Sequence, residues 1–198
     1  MVNRTQKRER VDFTVYSDFT CAECYGLNEQ LVALGVSGAV QWRGVQVEPA
    51  LATPMRSIDR RALDRIEDEI SEVLRRVGDT VMHLPRGKPN TRKAIVAVAS
   101  VMRQQPARAA VLRDALFRAY WRDGTDLSVM GEVQAIADRA GVPRFVQLDD
   151  PDADEMVENW DLDWATERLG GVPRVIRSDG KILWGLRSLI DAAEFFRV

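Results

Sequence analysis

Residues 11–27, VDFTVYSDFTCAECYGL, decide the fold of this chain, because they join an alternating apolar run to a helical pattern through a cysteine pair. The alternation up to Asp18 predicts a strand that ends in a turn, and from Ala22 the apolar spacing becomes helical. Cys21 and Cys24 lie at this junction and are the only two cysteines in the sequence. Two cysteines placed at random would have this spacing about once in a hundred chains, so the pair indicates chemistry that needs both sulfurs.

The position of the two sulfurs predicts different roles for them. A thiol is a poor nucleophile until it loses its proton, and the positive end of a helix dipole stabilises the thiolate. Cys21 lies at the predicted helix start, within that field, whereas Cys24 is one turn further in and can attack a mixed disulfide on Cys21. Ala22 and Glu23 are expected to tune the redox poise. A Glu23 carboxylate that points toward Cys21 would oppose the thiolate and make the pair less oxidising.

Composition bounds the class of protein. The 198 residues suffice for one domain, or for one domain with an insertion. Apolar residues make up 45% and charged residues 29%, and 28 basic residues nearly balance 30 acidic ones. These values argue against a dedicated nucleic-acid or membrane-surface binder. The first ten residues lack the pattern of a signal peptide, so we expect a cytoplasmic protein, in which a close cysteine pair is more often catalytic, redox-sensing or metal-binding than structural.

The order of predicted elements gives the fold class. A second strand at residues 40–47 completes a parallel βαβ unit with the first strand and helix. The predicted elements that follow are four helices over residues 57–141, an acidic loop at 149–154, a helix at 154–169, a hairpin of strands at 175–176 and 182–184, and a closing helix at 189–196. This is an α/β order, in which a βαβ half and an αββα half flank a helical segment. The sequence therefore predicts a thioredoxin-like fold with an inserted all-helical domain.

The predicted boundaries follow from the change in pattern. Residues 1–56 form the first part of the thioredoxin-like domain, residues 57–141 the helical insertion domain, and residues 142–198 the second part of the thioredoxin-like domain. In this arrangement Pro173 opens the strand beside the cysteine helix. Two interpretations of Pro173 are open. It simply initiates the strand, or its peptide bond is cis and exposes backbone to a substrate.

Other interpretations of the cysteines stay open at the level of residues. A zinc site needs about four ligands, and the chain offers two cysteines and one histidine, His83, inside the insertion. We therefore predict no metal. A pair of inert core thiols and a Cys–His protease pairing are further alternatives, although the protease pairing leaves Cys24 unexplained.

With these residues in place, the sequence resembles the DsbA-like thiol-disulfide oxidoreductases, and within them the FrnE-like branch. The same grouping holds the 2-hydroxychromene-2-carboxylate isomerases and the kappa-class glutathione transferases. The resemblance extends over nearly the whole chain. It is carried by the Cys21–Cys24 pair, by Gly171-Val-Pro173, and by the insertion segments 90–94, 116–120 and 126–127.

The resemblance implies roles for individual residues. Cys21 is the nucleophile, Cys24 is the resolving thiol, and Pro173 is a cis-proline. Val172 and Pro173 present backbone that pairs with a substrate chain by strand addition. The implied substrate groove is bounded by Phe19, Thr20, Tyr25, Val172 and Pro173, with the helical insertion as its lid.

The resemblance also implies a reaction and its partners. We expect an enzyme, a protein thiol-disulfide oxidoreductase or isomerase, whose only redox group is its own disulfide. Its expected partners are thiol or disulfide proteins, or glutathione as a co-substrate. Two alternatives remain: a glutathione-dependent isomerase or transferase acting on a small aromatic compound, and a non-catalytic peptide-binding or chaperone-like module. The isomerase and transferase relatives typically have serine at the first cysteine position, so both cysteines together favour redox exchange.

Overall fold

A four-stranded mixed sheet organises the computed structural model, which describes residues 12–78, 80–166 and 170–197. The strands, numbered along the chain, are β1 (Phe13–Ser17), β2 (Val40–Gly44), β3 (Arg56–Ser57), β4 (Gly87–Lys88), β5 (Arg174–Arg177) and β6 (Ile182–Trp184). The main sheet has the order β2-β1-β5-β6, with β1 parallel to β2 and antiparallel to β5, and with β5 antiparallel to β6. The predicted βαβ unit and the predicted C-terminal hairpin therefore belong to one sheet.

The helices are α1 (Ala22–Ala33), α2 (Arg60–Val77), α3 (Arg92–Gln104), α4 (Pro106–Trp121), α5 (Met130–Arg139), α6 (Pro151–Thr166) and α7 (Leu189–Phe196), with a 3-10 turn at Ser37–Ala39. The α/β thioredoxin-like fold with a helical insertion is confirmed. The predicted strand residue Val11 and the predicted helix end at 167–169 lie outside the described residues. Among the helices of the described part, none is long and apolar enough to cross a membrane.

Strand β1 is covered on both faces. Phe13 and Val15 point into the main hydrophobic core, as the alternation predicted. Tyr16 points to the opposite face, where it is also buried and its ring lies 5.4 Å from the ring of Trp164 on α6. A central strand needs cover on both sides, and the tyrosine supplies apolar surface at a position that an alternating pattern treats as polar.

The insertion adds one small piece of sheet to its helices. Strand β3 pairs antiparallel with β4 over two residues each, between the βαβ unit and α3. Pairs this short have no hydrophobic period and cannot be seen in the sequence. Gly87 is needed there, because a Cβ at its position would lie 2.1 Å from the carbonyl oxygen of Arg56.

Helix α6 begins three residues earlier than the sequence pattern predicted. Residues 151–153, expected in the acidic loop, form its first turn, with Pro151 as the first helical residue. The Asp150 side chain accepts a hydrogen bond of 3.1 Å from the backbone N–H of Asp152. A carboxylate in this position satisfies an unpaired N–H group of the first turn, and proline is favoured there because it has no N–H to satisfy.

A buried arginine joins the insertion to the thioredoxin-like part. Arg113 on α4 is 2% exposed. Its Nε donates to Asn28 Oδ1 on α1 at 2.9 Å, and its Nη2 donates to the Ser37 carbonyl oxygen at 3.1 Å and to Asp114 Oδ1 at 2.9 Å. Burial lowers the pKa of the guanidinium, and the neighbouring Asp114 carboxylate opposes that shift. One side chain thus connects α4, α1 and the 3-10 turn.

Candidate active site

Cys21 caps the N-terminus of α1 with its sulfur. The Cys21 backbone is extended, the helix begins at Ala22, and Cys21 Sγ accepts a hydrogen bond of 3.2 Å from the backbone N–H of Cys24. The turn that precedes it is closed by a hydrogen bond of 3.2 Å from the Cys21 N–H to the Asp18 carbonyl oxygen. The sulfur therefore occupies the place of a capping oxygen, where a negative charge is stabilised by unpaired N–H groups.

Cys24 lies beneath Cys21 and is buried, and both cysteines are free thiols. Burial raises the pKa of the Cys24 thiol well above its ordinary value, and the neighbouring Cys21 sulfur acts in the same direction. The charge of the buried Asp18 carboxylate raises the pKa of Cys24 further, whereas a hydrogen bond with the Asp18 backbone N–H lowers it. Cys24 is therefore held as a neutral thiol while Cys21 is half-exposed.

The loop before β5 completes the surroundings of Cys21. The Cys21 thiol donates to the carbonyl oxygen of Val172 over 3.6 Å, although the two residues are 151 positions apart. The peptide bond between Val172 and Pro173 is cis. Pro173 is itself buried, and its carbonyl oxygen accepts a hydrogen bond of 3.0 Å from the Gly185 N–H.

These residues open onto a cleft of about 460 Å³. The cleft is bounded by the start of α1, by the loop after β2, by one face of α2, by β4, by the end of α6 and by the loop before β5. Its lining residues are Thr20, Cys21, Ala22, Glu23, Gln46, Val47, Glu48, Glu69, Lys88, Trp164, Gly170, Gly171 and Val172. Thr20, Ala22, Glu23 and Val172, all predicted as site residues, line this cleft together with Cys21.

The predicted groove is wrong at Phe19 and Tyr25, whose side chains are 0% exposed and belong to the core. The Phe19 ring lies 4.7 Å from the ring of Phe117 on α4, and the Tyr25 ring stacks 6.3 Å from that of Trp121. The insertion covers both rings, so they cannot contact a substrate in the cleft. Pro173, buried behind Val172, is likewise not among the residues that line it.

The direction of Glu23 is fixed by the loop after β6. Its Oε2 atom accepts a hydrogen bond of 3.2 Å from the backbone N–H of Leu186. Gly185 leaves room for this contact, since a Cβ at that glycine would lie 3.1 Å from the same oxygen. Glu23 is thus held at the edge of the cleft that contains Cys21, where its charge acts on whatever approaches the sulfur.

Several cleft residues were not predicted from the sequence, and a sequence pattern could have indicated only some of them. Gln46 and Glu48 follow the carboxyl end of β2, which is parallel to β1, so both strand ends meet at the edge of the sheet that carries Cys21. Glu69 on α2 and Lys88 on β4 belong to the insertion, and no local pattern reports that these elements face the cysteines. Asp18 was predicted only as a turn residue, yet it is buried and bonds to Thr20 and Val47 beside the site.

His83 takes no part in the cleft. Its Nδ1 atom lies 2.5 Å from the carbonyl oxygen of Arg122, and its backbone N–H donates to the Trp121 carbonyl oxygen at 2.7 Å. Within residues 12–78, 80–166 and 170–197, no group of three or more His, Cys, Asp or Glu side chains could hold a metal ion.

The contrast between the two thiols predicts selective alkylation. We expect iodoacetamide at neutral pH to modify Cys21 of the reduced protein at least ~100-fold faster than Cys24, because Cys24 is both buried and held protonated. Peptide mapping by mass spectrometry measures the two rates, and the protein unfolded in denaturant is the control, in which both thiols react. Equal rates in the folded protein would contradict the assigned asymmetry.

This chain is similar to known proteins both in sequence and in structure. The model of the DSBA-like thioredoxin domain family matches residues 12–196. No curated protein sequence matches the chain. Among solved structures, a probable DsbA oxidoreductase from Streptomyces coelicolor has 18% sequence identity and a TM-score of 0.72, and the match covers 96% of this chain and 92% of that one.

Two further structures bear on the reaction class. The cytosolic disulfide reductase DsbM from Pseudomonas aeruginosa has 14% identity and a TM-score of 0.68, with 93% of this chain and 96% of that chain covered. The same reductase with GSH matches with a TM-score of 0.64. A 2-hydroxychromene-2-carboxylate isomerase has 17% identity and a TM-score of 0.66, with 87% and 88% covered. At these identities the likeness shows a shared fold.

Proposed function

This chain belongs to the DSBA-like thioredoxin domain family, and from that premise we propose that it is a thiol-disulfide oxidoreductase that works through Cys21 and Cys24. One observation carries the proposal. A half-exposed sulfur caps the helix, a second thiol lies buried beneath it, and the Val172 carbonyl oxygen lies within 3.6 Å of the first. The arrangement separates an accessible nucleophile from a protected resolving thiol, which a two-step exchange needs.

In the direction that reduces a substrate, the proposed exchange has two steps. The Cys21 thiolate attacks one sulfur of a substrate disulfide, a mixed disulfide forms on Cys21, and the other substrate sulfur leaves as a thiolate that takes up a proton. Cys24 then loses its proton and attacks Cys21 Sγ, which releases the second substrate thiol. The protein dithiol becomes a disulfide and gives two electrons and two protons to the substrate. Oxidation of a substrate dithiol is the same sequence in reverse.

Three features support this chemistry at the sulfur atoms. The Cys24 N–H, 3.2 Å from Cys21 Sγ, stabilises the Cys21 thiolate and the leaving sulfur in the second step. Burial raises the pKa of the Cys24 thiol, so that Cys21 and not Cys24 makes the first attack on a substrate disulfide. Val172 lines the cleft, where an extended substrate could add to its backbone as a strand.

We further propose that protein thiols and disulfides are the substrates, with glutathione as a candidate small partner. The second suggestion rests on the neighbouring reductase whose structure contains GSH. A cytoplasmic location is proposed from the cytosolic reductase of the same fold. Cys24, buried directly under Cys21, favours redox exchange over a glutathione-dependent isomerisation, because such an isomerisation leaves no work for a second thiol.

Trapping the intermediate tests the proposal. A Cys24→Ala variant retains the nucleophile but cannot resolve, so we expect it to accumulate a mixed disulfide between Cys21 and a substrate such as scrambled ribonuclease, whose disulfides the Cys21 thiolate can attack. The lifetime of this species should increase at least ~100-fold over that in the wild-type protein. Mass spectrometry after acid quenching identifies the adduct. Absence of an adduct on Cys21, in a variant shown to be folded, would refute the proposed exchange.

A further inference from the structure

The cleft at Cys21 is lined by more negative than positive charge. Three carboxylates line it, from Glu23 on α1, Glu48 after β2 and Glu69 on α2, and Lys88 is the one cation among the described lining residues. The Lys88 ammonium is already paired, because its Nζ lies 2.5 Å from Glu48 Oε1. Two negative charges, those of Glu23 and Glu69, are therefore left without a compensating cation in the described lining.

Glu23 is held at the cleft by a hydrogen bond, and Glu69 lines it as an exposed carboxylate. Glu23 is held by the Leu186 N–H, which is a neutral donor and leaves its charge uncancelled. Glu69 is exposed and forms no ion pair within the part of the chain that the structure describes. The charges of Glu48 and Glu69 both reach the interior beside the cleft, since each of them, with that of Asp18, adds to the increase that burial causes in the pKa of Tyr120.

One buried cation, Arg174, lies beside this cleft. Arg174 lies behind Gly170, with its Nη2 atom 3.1 Å from the position of a Cβ on that glycine. The arginine is 1% exposed, and its guanidinium carbon lies 3.0 Å from the centre of the Trp184 ring and 5.8 Å from that of Trp164. Because the guanidinium is buried against these indoles, it acts on a molecule in the cleft through its field and not by direct contact, and its single positive charge does not balance those of both Glu23 and Glu69.

We propose that this cleft selects its exchange partners by charge, accepting disulfides and thiols that are cationic next to the reacting sulfur and disfavouring anionic ones. The inference rests on the proposed function, since it concerns the substrate class of the same site. Carboxylates in a cleft raise the local concentration of cations and lower that of anions, and they disfavour the approach of a second negative charge toward a thiolate. Oxidised glutathione, with four carboxylates and two ammonium groups, is anionic, so its exchange with this site should be slower than that of a cationic disulfide of equal intrinsic reactivity.

A matched series of small disulfides tests the selection. Cystamine, 2-hydroxyethyl disulfide and 3,3′-dithiodipropionate share the same two-carbon arms and end in ammonium, hydroxyl and carboxylate groups. In each case Cys21 attacks one sulfur, Cys24 closes the protein disulfide, and two small thiols are released. For each disulfide, the rate constant with the fully reduced wild-type protein is divided by its rate constant with dithiothreitol, a neutral dithiol. This normalisation corrects for the different intrinsic reactivities of the three disulfides.

We expect the normalised rate for cystamine to exceed that for 3,3′-dithiodipropionate by about tenfold at low ionic strength, with 2-hydroxyethyl disulfide between them. The ratio should decrease toward one in about 0.5 M salt, where the Debye length is a few ångströms. Equal normalised rates for the three compounds would overturn the charge selection and leave the proposed function intact. No protein oxidation by any of them would instead count against the proposed function.

Two variants locate the effect. Glu69→Gln is expected to lower the cystamine to dithiodipropionate ratio at least twofold, because it removes a cleft carboxylate with no change of shape. Glu67→Gln makes the same change on the same helix, at an exposed residue that does not line the described cleft, and should leave the ratio near the wild-type value. An equal decrease in both variants would show a general surface field and overturn the assignment to the cleft.

Discussion

Replacement of Cys21 by serine is expected to abolish disulfide exchange, with a loss of catalysed rate on the order of 10³-fold or more. A serine hydroxyl at the helix cap can still accept the hydrogen bond from the Cys24 N–H, which is 3.2 Å from the sulfur in the present structure. The variant should therefore fold normally. It lacks the one accessible nucleophile, and the remaining thiol, Cys24, is buried.

Insulin reduction by dithiothreitol measures this loss for reduction of a substrate, and the refolding of a scrambled disulfide protein measures it for isomerisation. The control is the thermal unfolding midpoint, which should stay within a few degrees of that of the wild-type protein. Cys21→Ser activity equal to that of the wild-type protein in both assays would contradict the role assigned to Cys21.

Replacement of Arg113 by alanine is expected to cause a large loss of stability, a decrease of about 3–5 kcal/mol in the free energy of unfolding. The substitution leaves the largely buried Asp114 carboxylate without the guanidinium 2.9 Å away. It also leaves Asn28 Oδ1 without its donor, and the Nδ2 atom of the same side chain already has no partner among the described residues. An unpaired charge and an unsatisfied amide in the interior are each costly.

The matched control is Arg108→Ala, which removes an exposed arginine from the same helix and should change the free energy of unfolding by less than ~0.5 kcal/mol. Urea unfolding followed by circular dichroism compares the two variants with the wild-type protein. A small and equal effect of both substitutions would show that the connection between α4 and α1 does not depend on Arg113.

The parts of this fold that sequence patterns predicted are those that depend on neighbouring residues. The strand before Cys21, the helix after it, and the hairpin of β5 and β6 follow from local alternation, helical spacing and turn residues. The helix start at Cys21 was predicted to the residue, because strand and helix patterns meet there without an intervening loop. The link between Cys21 and Val172 came from family resemblance, since no local pattern connects positions 151 residues apart.

The errors in the predicted set of site residues have one physical cause. Phe19 and Tyr25 flank the cysteines in sequence and were expected to bound the substrate groove. In the structure the insertion buries both rings against α4. The same long-range packing brings Glu69 and Lys88 to the cleft, although no local sequence pattern indicates that they lie there. Which face of an inserted helix meets the sheet is decided by tertiary contacts, and these are not encoded in spacing near the cysteines.

The central claim is that Cys21 and Cys24 form one reversible redox pair. An equilibrium titration of the wild-type protein against mixtures of reduced and oxidised glutathione, with alkylation of the remaining thiols and mass spectrometry, measures it most directly. The account predicts a single two-electron transition in which both thiols disappear together into an intramolecular disulfide, with a tenfold change in equilibrium constant for each ~30 mV. Two thiols that stay free across all mixtures, or a glutathione adduct on Cys21 with no cross-link to Cys24, would contradict it.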